Sequence, residues 1–191
     1  MLKRIAIFAS GSGSNAENII RYFSDSTNIK VVLVLTNNPH AKVLERAKKF
    51  NVPCKVFNRF DFTTDEDFLQ NLIDEVDFII LAGFLWLMPK RIIDQFPQKI
   101  INIHPALLPK YGGKGMFGMK VHQSVIDNKE KETGITIHFV NEHYDEGTII
   151  FQKSIEIEMD DTPDSIVEKI HQLEYENYPK VIEKVMLKDE C

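Results

Sequence analysis

Short apolar runs alternate with helix-patterned segments through the first two thirds of this chain, and few architectures accommodate that rhythm. Residues 5–9, 31–35, 54–57, 78–82 and 99–103 read as strands. Between them, residues 15–23, 41–50 and 65–76 carry helical patterns, the last through Phe68, Leu69, Leu72 and Ile73. Pro89 suits the first turn of a further helix ending near Phe96. A βαβ rhythm of this kind predicts an α/β fold, a mostly parallel twisted sheet with helices on both faces. The pattern then changes. Ile135, Ile137 and Phe139 alternate with Thr136, His138 and Val140, and residues 149–159 read as a strand with room for a bulge. A short link containing Gly147 joins them, which predicts a late, partly antiparallel strand pair. Residues 163–186 form a closing helix, expected to be strained or broken near Pro179. Without repeats or a linker, one domain over residues 1–191 is the economical expectation.

Composition narrows the function classes. The 191 residues are 43% hydrophobic and carry a net charge of -5, with no basic patch interleaved with aromatics, so general nucleic-acid binding is not expected. No apolar run approaches the ~18 residues of a membrane span. Lys3 and Arg4 lead straight into the first strand, so no cleavable signal segment is expected. Cys54 and Cys191 lie far apart, which fits a reducing cytoplasm better than a disulfide framework.

The first strand runs into Ser10-Gly11-Ser12-Gly13-Ser14-Asn15-Ala16. Glycines let backbone approach a ligand, and the following helix offers free N–H groups, which together make an anion site. A plain strand-to-helix turn with Ser or Asn as N-cap is the alternative. Gly11-x-Gly13-x-x-Ala16 also fits a relaxed dinucleotide fingerprint. That reading needs a carboxylate after the second strand, where the chain has Thr36-Asn37-Asn38-Pro39-His40. The hydroxyls of Ser10, Ser12 and Ser14 suit a phosphate monoester better. Gly112-Gly113-Lys114-Gly115 lacks the Ser or Thr that a triphosphate loop carries after its Lys, and reads as an active-site flap or an exposed turn.

The segment Asn102-Ile103-His104-Pro105 ends the fifth strand. Alternation places Asn102 and His104 on one side, and Pro105 stops the ladder. An amide donor and a titratable ring at the carboxyl edge of a parallel sheet suit a reaction passing through an oxyanion. A carboxylate partner sits in the later loop, where spacing alone does not separate Glu142, Asp145 and Glu146. Such a partner raises an imidazole's pKa and favours its cation. The six histidines form no HxH or HxxxH pair, so no metal site is expected. There is no G-x-S-x-G elbow, and Cys54 lies away from the sheet's carboxyl edge.

Ser10 to Asn15, Leu81-Ala82-Gly83-Phe84, Asn102 to Tyr111, Gly134 to Val140 and Asp145-Glu146-Gly147 occur in this order, and nearly the whole chain resembles the phosphoribosylglycinamide formyltransferases of the folate-dependent formyltransferase family. The resemblance implies a Rossmann-like formyltransferase fold. It implies cytoplasmic transfer of a formyl group from 10-formyltetrahydrofolate to the amine of glycinamide ribonucleotide in de novo purine synthesis. It also implies a monomer or homodimer with small-molecule substrates and no tightly bound cofactor or metal. Carried over, Asn102, His104 and Asp145 are the catalytic trio. Gly11, Ser12, Gly13, Ser14 and Asn15 hold the substrate phosphate, and Glu174 contacts the nucleotide. Leu85, Trp86, Leu87 and Met88 line the folate pocket, with Asn102, Val140 and Asn141 beside the pterin.

The chain departs from that family at two places around the folate. Trp86 stands where an arginine is frequent, and Thr63-Thr64-Asp65-Glu66 replaces a region that often carries another. Trp86 is left with two roles, stacking on the folate benzoyl ring or packing on an outer face. A formyltetrahydrofolate hydrolase would keep Asn102, His104 and Asp145 but need no phosphate loop. An NAD-dependent oxidoreductase and a non-catalytic nucleotide or folate sensor are the readings from other classes.

Overall fold

The computed structural model describes residues 2–188, so the expectation for Cys191 falls outside the described residues. The elements run β1 (Lys3–Phe8), α1 (Ser14–Tyr22), β2 (Ile29–Thr36), α2 (Val43–Lys49), β3 (Cys54–Val56), α3 (Arg59–Thr63), α4 (Glu66–Glu75) and β4 (Phe78–Leu81). They continue with α5 (Lys90–Gln95), β5 (Ile100–His104), α6 (Met119–Asp127), β6 (Glu132–Phe139), β7 (Ile149–Glu156) and α7 (Pro163–Leu187). The strands form one sheet in the order β3-β2-β1-β4-β5-β6-β7. From β3 to β5 every pairing is parallel, while β6 runs antiparallel to both β5 and β7. The predicted late antiparallel pair is therefore a three-strand antiparallel flank, and the register shift falls between Ile137 and His138.

Alternation along β1 builds two cores. Ile5 and Ile7 pack with Ile19 of α1, Val43 and Ala47 of α2, and Ile170 and Ile182 of α7. Ala6 and Phe8 face the other way, onto Phe62, Phe68 and Leu72 of α3 and α4 and Ile92 of α5. Strands buried on both faces read as continuous apolar runs, which is why they are visible in the sequence. Ile73 is the exception among the predicted apolar positions of α4 and is exposed.

The chain moves outward from β1 in two directions, through β2 and β3 on one side and β4 and β5 on the other. Ligands bind at such a switch point, outside the carboxyl ends of the strands. Tyr178, fully buried on α7, ties the closing helix to this edge. Its hydroxyl shares one proton between the carbonyls of Leu81 at 2.9 Å and Ile101 at 3.1 Å.

Contrary to expectation, α7 is not broken at Pro179. A proline there leaves the Tyr175 carbonyl, four residues earlier, without its helical donor. Asn18 Nδ2 on α1 donates to that carbonyl at 3.0 Å. The lost ladder bond is replaced from a neighbouring helix, and the helix runs on.

Two helices have no counterpart in the sequence reading. A reciprocal capping box between Asn58 and Asp61 starts α3. Val121 and Val125 give α6 one buried turn-to-turn stripe.

Candidate active site

A cavity of about 390 Å³ opens at the switch point. Its walls come from the β1–α1 loop, the segment after β4, the end of β5, the loop before α6, the β6–β7 loop and one face of α7.

At one end stands the amino terminus of α1. Its N-cap is Gly13, at φ +72°, with no side-chain cap. The Ser or Asn cap considered from sequence is absent, so the first N–H groups of α1 have no competing side chain. A Cβ on Gly13 would sit 2.5 Å from Val43 Cβ, so both backbone angle and space demand glycine here. Gly11, Ser12, Gly13, Ser14 and Asn15 all line the cavity. The Ser10 hydroxyl is spoken for, since it donates to Asn37 Oδ1 at 2.8 Å and accepts from Leu85 N at 3.1 Å. It braces the loop rather than adding a donor to an anion.

Glu174 of α7 is buried beside this loop and accepts from Asn15 Nδ2 at 2.8 Å. Burial pushes its carboxyl up to about 7, against the smaller opposing effect of Asn15. One helical turn away, His171 also faces the cavity, as does His122 of α6. Burial, with His171 and His104 nearby, pushes the His122 ring down to about 4. Sequence reasoning singled out neither. No spacing signal joins α6 to α7, and both histidines are placed by the packing of those helices.

At the other end, Asn102 and His104 project from β5 toward the β6–β7 loop. His104 is buried, and its Nε2 lies 2.8 Å from the Tyr111 carbonyl. A carbonyl only accepts, so Nε2 carries the proton and Nδ1 is the nitrogen free to titrate. That Nδ1 lies 3.5 Å from Asp145 Oδ2. Of the three carboxylates that spacing left open, the fold brings Asp145 here. Glu142 pairs instead with Lys90, and Glu146 is exposed.

Asp145 adopts φ +59°, a left-handed angle that Asp tolerates better than most residues. Its Oδ2 accepts from Gly113 N at 2.9 Å. The following turn is closed by Gly147, whose missing Cβ would lie 1.6 Å from the Phe139 carbonyl.

His138 is the residue that sequence reasoning weighed only as a metal ligand. It pairs with Asn102 in the β5–β6 register, which is the signal that finds it. Its Nδ1 lies 2.8 Å from the Phe139 carbonyl, so its Nε2 accepts from Asn102 Nδ2 at 3.1 Å. The same amide nitrogen stands 3.4 Å from Asp145 Oδ1, a long contact that leaves its second proton available.

The charge balance differs from the sequence expectation. Burial holds the His104 ring below the ordinary histidine value, outweighing Asp145 and the Tyr111 bond, which favour the cation. His104 is thus a neutral base in the resting site. Burial also pushes the Asp145 carboxyl up, but its value still falls below the ordinary carboxylate range, helped by the bond it accepts from the Gly113 N–H.

Leu85, Trp86, Leu87, Met88 and Val140 line the wall between these ends. Asn141 does not reach it, and its side chain accepts from His143 N within the loop. Trp86 packs on an aromatic cluster, edge-on to Phe57 with centroids 6.0 Å apart and beside Phe62 at 5.9 Å. Among the described residues no group of three or more His, Cys, Asp or Glu is placed to hold a metal ion. Nor is any described helix long and apolar enough to cross a membrane.

The formyl transferase family profile matches residues 3–182. The chain is 38% identical over 191 residues to the phosphoribosylglycinamide formyltransferase of Bacillus subtilis, covering 97% of this chain and 95% of that one. It is 39% identical over 187 residues to the chloroplastic phosphoribosylglycinamide formyltransferase of Arabidopsis thaliana. That match covers 94% of this chain and 64% of the longer plant protein. The crystal structure of phosphoribosylglycinamide formyltransferase from Bacillus halodurans superposes with a TM-score of 0.86 at 36% identity, covering 98% of this chain and 97% of that one.

Proposed function

The chain belongs to the formyl transferase family, in its phosphoribosylglycinamide branch, and we propose that its cavity moves a formyl group from 10-formyltetrahydrofolate to the amine of glycinamide ribonucleotide in purine synthesis. The observation that carries this reading is a pairing of ends. An uncapped helix terminus built for a phosphate faces, across one cavity, an amide, an imidazole and a carboxylate.

Residues 1–191 act here as one formyltransferase domain. The nucleotide phosphate sits on Gly11, Ser12, Gly13, Ser14 and Asn15, where N–H groups and helix dipole favour an anion. Glu174 contacts the nucleotide between phosphate and amine. Leu85, Trp86, Leu87, Met88 and Val140 take the folate. Anchoring both substrates moves much of the entropy loss from the barrier to binding.

The amine attacks the formyl carbon, and the formyl oxygen becomes negative. Asn102 Nδ2, steered by His138, donates to that oxygen. Donors of this kind are each worth on the order of 3 kcal/mol. His104 Nδ1 takes the proton released by the amine, and Asp145 stabilises the resulting imidazolium. The proton then passes to N10 of the folate as the bond from the formyl carbon to N10 breaks. Tetrahydrofolate and the formylated nucleotide leave, with atoms and charge balanced. A ring held neutral before the reaction is ready to accept this proton near neutral pH.

The test is to incubate the protein with 10-formyltetrahydrofolate, with and without glycinamide ribonucleotide, and follow tetrahydrofolate. Release that requires the nucleotide is the expected result. Release without it marks a hydrolase and overturns the reading.

A further inference from the structure

We propose that Glu130, outside the cavity, is a positioning residue for His104: by holding the Tyr111 hydroxyl and Lys110, it fixes the Tyr111 carbonyl that selects the tautomer of the catalytic ring. The proposal rests on the formyl-transfer reading above and names what keeps its base in the working form.

The path from Glu130 to the ring is short. Lys110 Nζ donates to the two Glu130 carboxylate oxygens at 3.0 and 3.1 Å, and the Tyr111 hydroxyl donates to Oε1 at 2.9 Å. The Tyr111 carbonyl then accepts from His104 Nε2 at 2.8 Å. None of Lys110, Tyr111 and Glu130 lines the cavity.

The carbonyl needs this support. Tyr111 stands at φ +57°, a left-handed angle that a bulky side chain keeps only where its surroundings impose it. Before it, Leu108 is tied down by Thr136 and Gln152. After it, Gly113 N donates to Asp145. Between these anchors, Glu130 is the one side-chain partner of Lys110 and Tyr111 among the described residues.

Glu130 is itself fixed. Its N–H donates to the Val125 carbonyl at 3.2 Å, and the Lys129 N–H donates to the Ile126 carbonyl at 2.9 Å. These are the paired bonds of a Schellman turn, with Lys129 at the left-handed angle such a turn requires, φ +52°. The carboxylate is therefore presented from the capped end of α6, which Val121 and Val125 bury against the body of the protein.

A neutral imidazole carries one proton, and the acceptor it meets decides which nitrogen holds it. With the Tyr111 carbonyl in place, Nε2 is protonated and Nδ1 is the base beside Asp145. If Tyr111 relaxes, that selection weakens. The proton then spends time on Nδ1, between ring and carboxylate, where it blocks the base.

Two-bond proton–nitrogen correlation spectra of the substrate-free protein, labelled with nitrogen-15 at histidine and held above neutral pH, report the His104 tautomer. His104→Ala assigns the signal. Wild type is expected in the Nε2-protonated form. Glu130→Ala and Tyr111→Phe should each shift it toward a mixture and lower kcat about tenfold, as loss of one hydrogen bond does, with both KM values preserved. Glu130→Gln keeps an acceptor for the Tyr111 hydroxyl and should retain most of the wild-type tautomer and kcat. An ion pair that served stability alone would make Gln as damaging as Ala to the denaturation midpoint and leave the tautomer unmoved. An unmoved tautomer overturns the proposal, as does a shifted tautomer with kcat unchanged, or a raised KM as the sole effect. Turnover is scored separately. A wild type that never formylates the nucleotide overturns the functional reading, while the tautomer shift still reports whether Glu130 governs His104.

Discussion

The Asp145 carboxylate stands 3.5 Å from Nδ1 of His104, the one nitrogen of that ring that the Tyr111 carbonyl leaves free. The separation suits an ion pair once the ring is protonated and is too long for a firm hydrogen bond before then. The pair is thus arranged for the charged form that appears during the reaction. His104→Ala is expected to cut kcat by on the order of 10²–10⁴. Nucleotide affinity, set at the far end of the cavity, stays near wild type. Adding Asp145→Asn to His104→Ala should cost little more, because the two act as a unit. Single-turnover rates and nucleotide titrations on the three variants check this.

Asp145 also sets where His104 titrates. It favours the cation, so Asp145→Asn lowers the His104 pKa further. The base form then survives to lower pH, and the acidic limb of the kcat/KM profile moves down. The plateau falls as well, since the imidazolium loses its partner. A pH–rate profile of the variant reads both effects, and an acidic limb moving upward contradicts the assignment.

Gly13→Ala attacks the other end of the cavity. A left-handed angle and a Cβ 2.5 Å from Val43 make the substitution cost about 1–3 kcal/mol and displace the first turn of α1. The expected signature is a raised KM for the nucleotide with folate affinity preserved. Steady-state kinetics against each substrate in turn separates the two.

Glu174 makes stability depend on pH. Its folded value of about 7 lies above the ordinary 4.5, so the native state binds the extra proton between these values. Stability contributed this way is full below 4.5 and is lost as pH rises through about 7. Glu174→Gln removes that loss and should gain on wild type as pH rises. His122 acts at the acid end. Its value of about 4 against an ordinary 6.5 means that stability falls as pH drops below 6.5. Denaturant titrations across this range check both signs.

Asn18→Ala leaves the Tyr175 carbonyl without a donor and is expected to cost about 1–3 kcal/mol. Restoring the helical N–H with Pro179→Ala should recover part of that cost, so the double variant is less damaged than the two changes summed. Chemical denaturation of the four proteins closes this cycle.

Much of this architecture is legible in the sequence because it depends on local periodicity. The doubly buried strands β1, β2, β4 and β5 show as apolar runs, and a spacing of two put Asn102 and His104 on one side. What escaped depends on partners distant in the chain. Pro179 reads as a helix breaker until Asn18, 157 residues before Tyr175, donates to the Tyr175 carbonyl that the proline leaves free. An acidic neighbour suggests a charged His104 until burial is known, and burial reverses the sign. The short helix α3 hid in a capping box.

The most direct measurement follows a labelled formyl carbon through a single turnover with both substrates, for wild type and for Asn102→Ala. The label should pass from the folate into the formylated nucleotide in the wild type, with little formate, and transfer should slow by on the order of 10²–10³ in the variant. Label recovered as formate, or transfer undiminished without the Asn102 amide, would contradict the account.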